Sequence, residues 1–136
     1  TLAGKRICLL GFSFKANTGD TRETPAIAVT KKLLAENARV TISDPQALDN
    51  ARVDLKGLEG HIDYEPDPYK AARGSHAIAI MTEWDLYRNL DYQSIYDNMQ
   101  KPAFLFDGRN ITNPQALYDI GFNVFPIGKA PMTHFR

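Results

Sequence analysis

Short apolar runs alternate along this chain with longer segments whose apolar residues recur at helical spacing. Residues 5–10, KRICLL, form a compact apolar run that breaks at Gly11, the pattern of a buried strand. Residues 25–37 predict a helix, with Thr24 as N-cap and Pro25 at the first helical position, where a missing N–H costs nothing. Ile27, Leu33 and Leu34 supply much of its inward face. Residues 39–43 predict a second strand, closed by Asp44-Pro45. Residues 46–66 are the least legible stretch, with weak short strands expected near Val53 and Ile62. A short helix capped by Asp67 follows over 67–74, then an apolar strand over 76–81 and a helix over 90–98. Residues 103–106 predict a strand, 113–120 a helix capped by Asn113 ahead of Pro114, and 123–127 a last strand. No repeat, low-complexity tract or linker interrupts the series.

Strands that alternate with helices imply an α/β fold, a Rossmann-like three-layer domain with a mainly parallel sheet, because parallel strands need crossovers. In such open sheets ligands sit outside the carboxyl ends of the strands. The polar clusters fall there repeatedly. Lys15 to Arg22 follow the first strand, Asp44 the second, Thr82-Glu83 the apolar strand at 76–81, and Asp107 to Arg109 the strand at 103–106. Convergence of these loops on one edge is the main expectation from the residues.

Composition narrows the reading. At 136 residues the chain is long enough for one domain with a core and short for two. Sixteen basic and sixteen acidic residues cancel, so no overall basic field favours nucleic acid. A single cysteine excludes an internal disulfide and suits a reducing compartment, so a cytoplasmic location is expected. No apolar run approaches the roughly 20 residues of a membrane helix. The chain opens Thr-Leu-Ala-Gly, which suggests a piece of something longer.

The first loop, GFSFKANTGDTRETP, stands where a dinucleotide fingerprint would, yet Phe12 and Phe14 replace the glycine pattern that admits a pyrophosphate. Lys15 and Arg22 offer cationic donors there, and Phe14 offers an apolar wall for a base or sugar. The alternative is that Asp20, Arg22 and Glu23 pair among themselves and their neighbours while both phenylalanines are core. Gly108 permits a tight turn that would aim Arg109 toward the first loop; a plain turn with an exposed arginine is the alternative. Trp84 reads as a packed aromatic rather than a stacking platform, and Asp44 as a turn starter rather than a ribose ligand. Cys8 sits among apolar neighbours and reads as buried and inert. His61, His76 and His134 lack metal-ligand spacing.

The stretch LLGFSFKANTGDTRETPAI closely resembles the C-terminal UDP-binding domain of the UDP-glucose/GDP-mannose dehydrogenase family, in its UDP-glucose 6-dehydrogenase branch. The resemblance continues through Ser43-Asp44-Pro45, MTEWDLYRNLDY and KPAFLFDGRN, in the family's order and over essentially the whole chain. The TGDTRE form favours the UDP-glucose branch, since other branches read nearer to DDLRESP. The resemblance implies an NAD-dependent oxidation of UDP-glucose to UDP-glucuronate with two NAD, in a longer enzyme that is a homo-oligomer. NAD would be held mainly by an N-terminal domain.

By the same resemblance Phe14 and Lys15 match a substrate-binding pair and Arg109 the substrate-binding arginine of FDGR. Arg22 matches an arginine that reaches NAD held by the other domain. No catalytic residue is expected here. The family's catalytic cysteine lies in a GFGGSCF-type motif, which these residues lack, as they lack its catalytic lysine and glycine fingerprint. Residues 1–136 are therefore expected to be a single UDP-sugar-binding domain, inactive alone. A stand-alone nucleotide-sugar sensor and a purely structural domain that mediates subunit contacts are the competing readings.

Overall fold

Six parallel strands, in the order β3-β2-β1-β4-β5-β6, form one sheet in the computed structural model, which describes residues 1–135. The strands are β1 (Arg6–Leu10), β2 (Arg39–Ser43), β3 (His61–Tyr64), β4 (Ala77–Ile80), β5 (Phe104–Asp107) and β6 (Asn123–Pro126). The helices are α1 (Pro25–Ala35), α2 (Leu48–Asp54), α3 (Pro68–Ala72), α4 (Asp85–Arg88), α5 (Tyr92–Asp97) and α6 (Pro114–Ile120). The strand order reverses between β1 and β4, the doubly wound arrangement that the alternating pattern implies.

Alternation along each strand divides the core. Cys8 and Leu10 of β1 join Ile78 and Ile80 of β4, Leu105 and Val124 in a cluster beneath α3–α6, centred on Tyr87, Ile95, Leu117 and Phe122. Ile7 and Leu9 point the other way and pack with Val40, Ile42, Ala26, Leu34 and Ala51 beneath α1 and α2. Burial of such apolar side chains stabilises by about 25 cal/mol per Å². On that second face the β4–β6 half of the sheet stays open. Phe106 is 43% exposed there and stacks on Phe125 at 4.8 Å, and a cleft of about 670 Å³ runs from Leu2 and Val29 to Phe106. Parallel sheets are normally covered on both faces.

Local chemistry sets the helix starts. Thr24 accepts from Ala26 N–H at 3.3 Å, Asp67 from Tyr69 N–H at 2.9 Å and Asn113 from Ala116 N–H at 3.1 Å, each followed by proline. Two expectations need correction. Val53 is not in a strand: it lies in α2, 72% exposed, because the small, fully buried Ala51 anchors that helix and leaves Val53 on the solvent side. The inward face of α1 is also smaller than expected. Ala26, Thr30 and Leu34 are buried, whereas Ile27 and Leu33 are only partly covered. Thr30 Oγ1 is satisfied by donating to the Ala26 carbonyl at 2.7 Å.

Candidate functional site

The loops after β2, β1, β4 and β5 leave four strands that are neighbours in the sheet, so they meet along one carboxyl edge that spans the reversal point. The expected convergence is present. Gly11 makes the first turn possible with φ +98°, a region closed to most side chains, and its N–H donates to the Ser43 carbonyl at 2.7 Å. Beyond it, Phe12 is fully buried and Phe14 is 42% exposed, so the two phenylalanines of the loop divide between core and surface.

A buried carboxylate organises this edge. Asp44 Oδ1 accepts from Gln46 N–H and Ala47 N–H, both at 2.8 Å, which is the turn-starting role read from Asp44-Pro45. Its Oδ2 reaches into the first loop and accepts from Phe12 N–H at 2.8 Å, Ser13 N–H at 3.0 Å and Ser13 Oγ at 3.1 Å. Trp84 Nε1 donates to the same oxygen at 3.2 Å. Trp84 is thus a packed aromatic, 6% exposed, with its polar tip in a hydrogen-bond network. Thr82 Oγ1 donates to the Ser13 carbonyl at 2.8 Å, and Thr24 Oγ1 to the Phe12 carbonyl at 2.7 Å. The base of the loop is pinned from three directions.

Asp107 plays the same part at the end of β5. Its Oδ1 accepts from Arg109 N–H at 3.0 Å; its Oδ2 accepts from Ile111 N–H, Thr112 N–H and Thr112 Oγ1 at 2.6–3.0 Å. Burial pushes the Asp107 carboxyl up, but the Thr112 hydroxyl and these backbone donors outweigh it and hold the group below the ordinary carboxylate range.

Arg109 points back toward the first loop, as the glycine turn implied, and Glu83 joins the two. Glu83 Oε1 accepts from Ala16 N–H at 3.0 Å, while its Oε2 pairs with the Arg109 guanidinium. Burial raises the Glu83 carboxyl, the Ala16 and Glu83 backbone N–H groups and Arg109 lower it, and the net shift is downward. Lys15, next to Ala16, is exposed and forms no ion pair among the described residues. The sequence therefore located Phe14, Lys15, Glu83 and Arg109 along this edge but missed the bridging role of Glu83, which depends on contacts 67 and 26 residues away.

Arg22 stands apart. Its guanidinium pairs with Asp20 Oδ2 at 2.7 Å on a side chain that is 88% exposed, the self-paired alternative weighed for this loop. The side-chain hydrogen bond from Arg22 holds the Asp20 carboxyl down to about 2. Glu23 adopts φ +59°, uncommon for a residue with a side chain, and turns the chain into the Thr24 cap. The expectation for Cys8 holds: it is fully buried, and desolvation pushes its thiol up to about 12, far from the thiolate a nucleophile needs.

The β1–α1 turn does not fit a dinucleotide. The Phe12 and Ser13 N–H groups, placed where a pyrophosphate would be received, are already given to Asp44. No group of three or more His, Cys, Asp or Glu side chains among the described residues is arranged to hold a metal ion. No helix among the described residues is long and apolar enough to cross a membrane.

Fold and edge together define a doubly wound α/β domain with cationic and aromatic side chains along the carboxyl edge of its sheet. The profile of the UDP-glucose/GDP-mannose dehydrogenase family, UDP binding domain, matches residues 8–114, and the chain belongs to that family. It is 48% identical over 153 aligned residues to UDP-glucose 6-dehydrogenase 2 of Oryza sativa subsp. japonica, with 99% of this chain and 32% of the relative covered. Against UDP-glucose 6-dehydrogenase 2 of Arabidopsis thaliana the identity is 49% over 147 residues, covering 95% and 31%. The chain thus spans about a third of the length of these relatives. Among solved structures, a UDP-glucose dehydrogenase from Pyrobaculum islandicum superposes with a TM-score of 0.72 at 29% identity, covering 92% of this chain and 25% of that one. An NDP-N-acetyl-D-galactosaminuronic acid dehydrogenase from Methanosarcina mazei shares the fold, with a TM-score of 0.83 at 23% identity over 99% of this chain and 27% of that one.

Proposed function

We propose that residues 1–136 are the UDP-sugar-binding domain of an NAD-dependent UDP-glucose 6-dehydrogenase, the activity named for the plant relatives. The observation that carries this reading is the placement of Lys15 after β1 and Arg109 after β5, on either side of the β4 loop whose Glu83 links Ala16 to Arg109. Arg109 receives a diphosphate through its planar fork, and Lys15 adds a mobile point charge to the same anion. Phe14 lines the nucleotide-sugar side. Glu83 occupies the Arg109 guanidinium in the free chain, so an incoming diphosphate takes over donors already aimed along the edge.

NAD belongs to another part of the longer enzyme, since the first turn here spends its N–H groups on Asp44. When bound there, NAD accepts the hydride from the sugar; Arg22, on an exposed rim, reaches toward it from this domain. The family's cysteine and lysine chemistry lies outside these residues, so this domain binds and orients substrate and does not turn it over alone. The open β4–β6 face, with Phe106 exposed, supports the reading of one domain within a larger homo-oligomeric protein.

The test is a titration of the chain with UDP, UDP-glucose and uridine, read by isothermal calorimetry and amide chemical shifts. UDP and UDP-glucose bind through the Lys15 and Arg109 loops, and uridine, without the diphosphate, binds far more weakly. Equal binding of uridine would remove the diphosphate role of the two cations.

A further inference from the structure

At the opposite end of the sheet from the ligand edge, cations gather with no established task. Arg6 opens β1, Arg39 opens β2 and His61 opens β3. They are register partners: Arg6 with Arg39, and Arg39 with His61. They also share a face. Arg6 has the parity of Cys8 and Leu10, which point beneath α3–α6, whereas Val40, Ile42, Ile62 and Tyr64 point away and leave Arg39 and His61 on the side of Arg6. Neighbouring strands lie about 4.8 Å apart, so the basic row spans about 10 Å. Lys70 of α3 and Arg73 at its end complete the rim of a cleft of about 400 Å³.

Within the row only His61 has an acidic partner among the described residues, Asp63. Among the described residues Arg6, Arg39, Lys70 and Arg73 form no ion pair. Arg39 Nη2 lies 3.2 Å from the His61 ring nitrogen Nε2, a contact that supplies no negative charge. Asp63 and Glu65 also line the cleft, but both have other partners. Asp63 Oδ2 lies 3.1 Å from His61 Nε2, and Glu65 Oε2 accepts from Asp67 N–H at 3.0 Å. Like charges directly opposite on neighbouring strands are destabilising. Four unpaired cations against the two carboxylates of Asp63 and Glu65 leave the concavity with an excess of positive charge, a local field of the sign that collects anions.

We propose that this cleft binds a small, multiply charged anion of the diphosphate or polyphosphate class, as a second site distinct from the ligand edge. Arg6, Arg39 and Arg73 present forked donors to adjacent phosphoryl groups, and Lys70 closes the rim. Strands of four and five residues separate the cleft from the loops, about 15 Å at roughly 3.3 Å per residue, so a diphosphate here leaves the other site free.

Inorganic pyrophosphate is the probe, added to the isotope-labelled chain carrying Lys15→Ala and Arg109→Ala to silence the ligand edge. Amide shifts are expected at Arg39, His61 and Arg73, with affinity falling about tenfold in Arg39→Gln/Arg73→Gln and falling again with added salt. ADP tested in parallel identifies the source of the anion: shifts extending to Ala71 and Ser75, which also line the cleft, mark a nucleotide, and shifts confined to the basic row mark a free polyphosphate. No shift at millimolar pyrophosphate, or binding unchanged in the Gln variants, overturns the proposal. So does binding of poly-glutamate where pyrophosphate fails, which would make the cleft a contact for an acidic protein.

Discussion

Trp84 Nε1 donates to Asp44 Oδ2 at 3.2 Å, which ties the loop after β4 to the end of β2 across the loop that lies between them. The same oxygen holds Phe12 and Ser13, so one buried carboxylate sets the shape of the first loop. Asp44→Ala leaves several buried N–H donors without an acceptor. The expected cost is about 3 kcal/mol in chemical denaturation, with a smaller loss in Asp44→Asn. A change under about 0.5 kcal/mol in Asp44→Ala would show that water replaces the carboxylate.

Gly11 is irreplaceable for two separate reasons. Its φ is +98°, and a Cβ placed there would lie 2.5 Å from the Thr82 side chain and 2.8 Å from Thr82 N. Gly11→Ala is expected to destabilise by at least about 2 kcal/mol. Adding Thr82→Ala relieves only the contact with Oγ1, because the Thr82 Cβ and N and the positive φ remain. Full recovery in the double variant would mean that the Oγ1 contact, and not the backbone conformation, sets the cost.

Acid should loosen the edge through Asp107. Its folded-state carboxyl sits below the ordinary value of 3.8, so its contribution is present above that value and is lost as pH falls through it toward the depressed folded value. Thermal stability is expected to be flat from neutral pH to about pH 5 and to fall below about pH 4. Asp107→Asn flattens this acid limb and lowers the neutral plateau. Asp20 is also depressed, to about 2, so Asp20→Asn serves as the control for the exposed pair with Arg22. An unchanged acid limb in Asp107→Asn would assign the effect elsewhere.

Glu83 pairs with the Arg109 guanidinium, so in the proposed diphosphate site it would compete with the ligand. Glu83→Gln frees the guanidinium while keeping an oxygen able to accept from Ala16 N–H. UDP affinity is expected to rise by about two- to tenfold at low salt, corresponding to about 0.4–1.4 kcal/mol, as measured by calorimetry. A fall in affinity would show that Glu83 holds Arg109 in its working position instead of masking it.

Much of the fold is written locally. The apolar runs marked β1, β2, β4, β5 and β6, and Thr24, Asp67 and Asn113 marked helix starts that the structure reproduces as caps. Val53 misled because a β-branched residue scores as strand wherever it stands, while the buried Ala51 beside it decides the helix through tertiary packing. Asp44-Pro45 revealed its turn, since Oδ1 bonds lie two and three residues away. Its second role stayed hidden because the Oδ2 partners lie 31 to 40 residues off. The same distance concealed Glu83 as the link between Ala16 and Arg109. Cations in loops can be read from composition; the acids that hold them in place depend on which strands the sheet puts side by side.

The most direct test of the account is UDP binding to the chain and to Lys15→Ala/Arg109→Ala, followed by calorimetry with the amide spectrum as a check on folding. Both side chains sit at the surface, so the double variant should keep the parent fold. The account predicts UDP affinity lowered by at least about a hundredfold, with parent shifts concentrated between Phe14 and Arg22 and around Arg109, because two charge-assisted contacts to a diphosphate are lost. UDP binding of parental strength in the folded double variant would contradict it.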